Sequence, residues 1–171
     1  MLTEKMEKAL NDQLTFELVS AYLYYAMSAY CEANDLAGMA NWFKVQAQEE
    51  MFHASKFFDY INDRDGRVEL GAIEKPAKDW DTPLAAFSAA LEHERIVSGR
   101  IHDLVELSQQ EKDRSTYNFL QWFVGEQVEE EATARNIIGQ LKIVGSEGAG
   151  LYMVDQQLGT RVFTMPAATA E

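Results

Sequence analysis

The chain has 171 residues, about one ordinary domain, with 47% hydrophobic and 25% charged residues; that balance excludes intrinsic disorder and leaves ample material for a core. Its 15 Lys and Arg stand against 28 Asp and Glu, a formal net charge of −13, so binding of nucleic acid or anionic membranes through phosphate contacts is not expected. One cysteine, Cys31, excludes an internal disulfide framework and any Cys-rich zinc or iron–sulfur site, and it reads as a small half-buried hydrophobe in a reducing compartment.

Apolar residues recur at helical spacing almost throughout, so the predicted fold class is all-α. A first helix begins after the capping hydroxyl of Thr3 and runs to about Glu32, and Asn34-Asp35 makes a short turn. A second helix spans about Leu36 to Asp63, with Gly66 just past its end. Residues 64–81 contain Gly66, Gly71 and Pro76 and read as a loop. Thr82-Pro83 opens a third helix, a hydroxyl cap followed by proline at the first helical position, which runs to about Gln110. Asp113 starts a fourth, over about residues 114–144. Ser146 to Gly150 reads as a kink and Leu151 to Leu158 as a short fifth helix, while the tail from Gly159 carries no pattern.

The loop lengths predict the topology. Tight joints make helices one and two antiparallel, and likewise three and four. The middle loop of 18 residues, fully extended, could reach about 60 Å, against about 42 Å for a helix of 28 residues. It can cross the bundle and make helices two and three parallel. The expected architecture is a single domain over residues 1–171: a four-helix bundle of two hairpins, one long crossover and a short fifth helix. No uninterrupted apolar run approaches the roughly 18 residues of a membrane span. The charged start Met1-Leu2-Thr3-Glu4-Lys5 has no signal-peptide character, and there is no phosphate loop, GxGxxG or GxSxG. A soluble cytoplasmic protein is expected.

Each core stripe is interrupted by a carboxylate near its middle. The stripes read Leu14-Glu17-Ala21-Tyr24, Ala47-Glu50-Ala54-Phe57, Leu91-Glu94-Ser98-Ile101 and Phe123-Gln127-Glu130-Ala134. A lone glutamate in such a stripe is commonly a side chain that reaches solvent, but four at similar depth would repel one another and carry desolvation costs of several kcal/mol each. Bound cations are the simplest compensation. His53 lies three residues after Glu50, on the same helix face, and adds a nitrogen ligand. Carboxylates with one imidazole and no thiolate favour iron or manganese, though zinc would also bind.

In the motifs Glu49-Glu50-Met51-Phe52-His53 and Gln127-Val128-Glu129-Glu130, taken with Glu17 and Glu94, the sequence resembles the ferritins, specifically the non-haem bacterial ferritins, over nearly its whole length. The resemblance implies a ferritin-like bundle with a dinuclear ferroxidase centre: Glu17, Glu50 and His53 around one iron, and Glu50, Glu94 and Glu130 around a second. Gln127 would sit on the oxidant side as a hydrogen-bonding group, and Tyr24 would stand beside the metals as an electron donor. The bacterial members have a third iron site, which the resemblance carries onto Glu49, Glu126, Glu129 and again Glu130. It further implies a hollow twenty-four-subunit homo-oligomeric cage that oxidises Fe(II) with O₂ or H₂O₂ and keeps the Fe(III) mineral inside, with the fifth helix around the fourfold axes.

Two departures mark off other branches. A bacterioferritin or rubrerythrin would repeat Glu-x-x-His on the fourth helix, where this chain has Gln127 and Glu130. Met51 occupies the place of a haem-ligating methionine but reads as a flexible interface residue, so haem is not expected. A discrete di-iron peroxide reductase of the rubrerythrin type is the alternative function; with only Cys31 it would need a separate electron-donating partner. His93 and His102 fall off the stripe and are read as surface residues or weak adventitious ligands, and Trp122 as packing near the centre.

Overall fold

A computed structural model describes residues 1–164. Five α-helices follow in order: α1 (Glu4–Ala33), α2 (Ala37–Asp63), α3 (Pro83–Gln110), α4 (Arg114–Val144) and α5 (Gly148–Leu158). No strand occurs among the described residues, and no helix there is long and apolar enough to cross a membrane.

Side-chain caps start three of the helices by satisfying backbone donors that have no partner within the helix. Thr3 Oγ1 accepts from the Met6 amide and Thr82 Oγ1 from the Ala85 amide, each at 3.1 Å. Asp113 Oδ1 accepts from the Thr116 amide at 3.1 Å, and its carboxylate also pairs with Arg64 at 3.0 Å, tying the end of α2 to the start of α4. At the end of α2 the left-handed residue is Asp65, with φ 57°, and not the glycine that follows it. The Gly66 amide then closes the helix on the Ile61 carbonyl at 2.9 Å. A short polar side chain tolerates that conformation.

The start of α2 is different, because Leu36 offers no side-chain cap. The acceptor comes instead from α5, where buried Asp155 takes the Met39 amide at 2.8 Å. This approach requires glycine at position 38, since a Cβ there would lie 1.7 Å from the Asp155 carbonyl oxygen. Asp155→Ala should therefore uncap α2 across a distance of 116 residues in sequence, at a cost of about 1 kcal/mol. Faster amide exchange over residues 38–40 and a lower melting temperature would register the loss. Unchanged exchange there would show that Asp155 does not hold the helix start.

α5 begins at Gly148 rather than Leu151, so the expected kink over residues 146–150 is shorter. Gly145 (φ 78°) and Gly148 (φ 82°) both adopt the left-handed region, which turns the chain between α4 and α5 and lets helical geometry resume early.

Side-chain pairings give the helix directions. Ser28 meets the Ala40 carbonyl while Glu17 meets Glu50, so α1 and α2 are antiparallel. Phe57–Phe123 and Tyr60–Phe119 stacking makes α2 antiparallel to α4. Phe43 stacks on Phe87 at 4.5 Å, and further along the same two helices the charge of Glu94 acts on Glu50, so α2 and α3 run parallel. The crossover between them climbs along α1: the Arg67 carbonyl and Glu69 amide bond Asn11, the Gly71 amide bonds Thr15, and Trp80 packs edge-on against Tyr30.

The buried apolar side chains form two clusters. One holds Tyr24, Ala47, Leu91 and Ala134; the other holds Leu14, Phe57, Val97 and Phe123. On every helix of the bundle the carboxylate lies between a member of one cluster and a member of the other. The polar groups thus occupy a waist between two apolar ends.

Candidate metal centre

Glu17, Glu50, His53 and Glu94 are each at most 2% exposed, and Gln127 and Glu130 are buried beside them. Glu17, Glu50 and His53 bring one ligand atom each within 4.8 Å of one another, and His53, Glu126 and Glu130 form a second such group. His53 belongs to both. Its Nδ1 lies 3.4 Å from Glu50 Oε2, and its ring is flanked by Trp122 and Phe123.

The remaining partners are hydrogen-bonding groups. Glu94 accepts from the Tyr24 hydroxyl and, at 3.0 Å, from the Gln127 amide, which also reaches the Glu94 backbone carbonyl at 3.3 Å. Of the other residues expected from the resemblance, Glu126 is half-buried within the second group, whereas Glu129 is exposed and Glu49 is half-buried and ion-paired with Arg161.

The electrostatics follow from this crowding. Burial pushes the Glu17 carboxyl well above the usual carboxylate range, and the charge of Glu50 adds to it. Burial and then Glu94 raise Glu50, while burial followed by Glu94 and Glu50 raise Glu130. Glu94 is raised by burial but restrained by the bonds from Tyr24 and Gln127.

Two carboxylate oxygens, Glu17 Oε2 and Glu50 Oε2, are buried without a hydrogen-bond partner among the described residues. Buried polar atoms are nearly always satisfied, so orphaned oxygens facing an imidazole fit a cation in the pocket. Oxygen donors with one nitrogen suit Fe(II).

Three residues around the centre were missed or read differently from the sequence: Gln13 and Arg161 carried no expectation, and His93 was expected at the surface. Gln13 is 1% exposed and donates to Glu17 Oε1 at 2.9 Å, while its own carbonyl accepts from Arg100 at 2.9 Å. This chain fixes one Glu17 oxygen and leaves the other free. Gln13 lies four residues before Glu17, so the i, i+4 spacing was a usable signal. His93, expected at the surface, is half-buried: it stacks on Phe16, meets Ser20 Oγ at 2.7 Å and packs edge-on against Tyr24. Burial lowers its pKa to about 4, so the ring is neutral and wedges the tyrosine in place. His102 is exposed. The third residue, Arg161, lies in the tail, where periodicity offers no signal.

Fold and site together define a helical bundle with a candidate carboxylate–imidazole metal centre at its waist. The model of the ferritin-like domain matches residues 7–144. A bacterial non-heme ferritin of Staphylococcus aureus is 42% identical over 163 residues, covering 95% of this chain and 98% of its own length. Another from Bacteroides fragilis is 44% identical over 161 residues, covering 94% of this chain and 100% of its own. Among solved structures, an open-pore ferritin from Archaeoglobus fulgidus superposes with a TM-score of 0.94 at 50% identity, covering 95% of this chain and all of that one. The chain belongs to the ferritin family.

Proposed function

We propose that this protein stores and detoxifies iron in the reducing cytoplasm, oxidising Fe(II) at the waist of the bundle and keeping the Fe(III) product as mineral inside a hollow cage of twenty-four chains. The observation that carries this reading is the pair of orphaned oxygens on Glu17 and Glu50 beside His53, in a chain of the ferritin family.

Iron is substrate and cargo here. In this reading Glu17, Glu50 and His53 bind one Fe(II), and Glu50, Glu94 and Glu130 bind a second, with Glu50 shared. Glu49, Glu126, Glu129 and Glu130 offer a third, more exposed position. Oxidation of two Fe(II) supplies two electrons; with two protons they convert O₂ to H₂O₂, or H₂O₂ to two waters. Negative carboxylates favour the Fe(III) product through charge. The Gln127 amide orients Glu94, and the Tyr24 hydroxyl is hydrogen-bonded to Glu94, so an electron leaving the ring can be accompanied by its proton passing to that carboxylate.

The deciding experiment is an anaerobic Fe(II) titration followed by exposure to air. About two tight equivalents per chain, rapid oxidation and continued uptake into a heavy, electron-dense particle are expected. A stable monomer, or no tight Fe(II) binding, would overturn the proposal. Peroxide turnover with an external reductant and no mineral would favour the rubrerythrin-type alternative instead.

A further inference from the structure

The chain beyond α5 doubles back onto α2. The Asn41 amide donates to the carbonyls of Gly159 and Arg161, at 3.3 and 2.9 Å. This delivers the Arg161 guanidinium over the Trp42 ring, 4.6 Å from its centroid, where it donates to Gln46 Oε1 at 2.7 Å and pairs with the Glu49 carboxylate. Both members of the ion pair are about three-quarters buried, with 23% and 24% of their side chains exposed. An arginine fork held between an amide and a carboxylate and stacked on an indole is a specific seat and not a passing surface contact.

What makes the seat consequential is its position. Glu49 adjoins Glu50 in sequence, and its charge is felt by Glu130, while His53 and Glu126 act on Glu49 in turn. The group His53, Glu126 and Glu130 lies within this circle. Neutral imidazole has one acceptor nitrogen. If that nitrogen is committed beside Glu17 and Glu50, the second group keeps only two carboxylates and needs another ligand. Glu49 is the adjacent carboxylate, and Arg161 holds it.

We propose that Arg161 is a built-in counter-ion for the third metal position: it sequesters Glu49, so that a divalent cation at Glu126 and Glu130 and the docked tail compete for one carboxylate. This rests on the reading of Glu49, Glu126 and Glu130 as metal ligands. Linkage makes the competition reciprocal. The seated arginine weakens the third position, and a cation bound there unseats the tail. The third position then fills only when the cation concentration is high, after the inner pair is satisfied.

The test uses the assembled protein and the redox-inert ion Zn(II), followed by calorimetry and by amide exchange over residues 159–164. Arg161→Gln should tighten the third equivalent about tenfold and leave the first two unchanged. In a Glu49→Gln background the same substitution should do nothing, which separates release of Glu49 from simple removal of a positive charge. In wild type the third equivalent should speed exchange in the tail; in Glu49→Gln, tail exchange should be fast with or without metal. Asp155 still ties α5 to the start of α2 in each variant, so folding is not at stake. Equal third-site affinity in wild type and Arg161→Gln would overturn the counter-ion proposal alone. Failure of Arg161→Gln to bind any third ion would remove the third site as well.

Discussion

Glu50→Ala should abolish the fast phase of Fe(II) oxidation while leaving assembly intact. Glu50 is 1% exposed. Among the carboxylates of the centre, it is the one that shares a ligand group with Glu17 and His53 and also repels Glu94 and Glu130. Loss of groups that merely orient metal ligands typically costs about 10- to 100-fold in affinity or activity; removal of a shared ligand should cost at least the upper end. The apolar clusters on either side of the waist do not depend on this carboxylate, so the bundle should still fold and slow mineral growth should persist. Stopped-flow absorbance after the first iron additions is the measurement. A wild-type rate in the variant would show that Glu50 does not bridge.

The second large effect concerns stability and reverses sign with metal. Raised carboxyl pKa values mean that the folded apo protein binds protons more tightly than the unfolded chain. The stabilisation from those protons is fully present below the ordinary value near 4.5 and is lost as pH rises through the folded-state values of Glu17, Glu50 and Glu130. At neutral pH the apo centre is therefore under electrostatic load. Glu94, Glu50 and Glu49 all disfavour a charge on Glu130, with His53 partly offsetting them. Glu130→Gln keeps nearly the same volume and removes that charge. The apo variant should melt at or above wild type at pH 7, and its advantage should shrink as pH falls toward 4.5. With Zn(II) the order should invert: metal at about a thousand times Kd contributes about 4 kcal/mol to a protein that binds it, much of which the variant forfeits. Paired melting curves with chelator and with metal test both halves. A clear drop for the apo variant would assign Glu130 a structural bond.

The all-α bundle was legible because its signals are local. Thr3, Thr82-Pro83 and Asp113 announce helix starts through chemistry confined to one turn, and the four interrupted stripes place Glu17, Glu50, Glu94 and Glu130 on buried faces by spacing alone. What stayed hidden depends on contacts distant in sequence. The cap of α2 comes from Asp155, the packing of His93 depends on Phe16 and Ser20 across a helix interface, and Arg161 belongs to a segment without periodicity. The resemblance groups Glu49 and Glu129 with Glu126, yet the fold treats them differently. Glu49 is ion-paired with a tail arginine, and Glu129 is exposed.

The division of the core has a mechanical consequence. Hydrophobic cohesion is concentrated at the two ends of the bundle, where Phe43 and Phe87 stack at one and Phe57 and Phe123 at the other. Between them the carboxylates repel one another, partly offset by the hydrogen bonds from Gln13, Tyr24 and Gln127. Each end is a candidate cooperative unit in its own right, and the turns carrying Glu17, Glu50, Glu94 and Glu130 join them through a polar girdle. A cation bound in the girdle acts as a rivet, stiffening the joint when it arrives and restoring the slack when it leaves. Metal-free and metal-bound protein should therefore differ most in amide exchange at the turns carrying these four carboxylates.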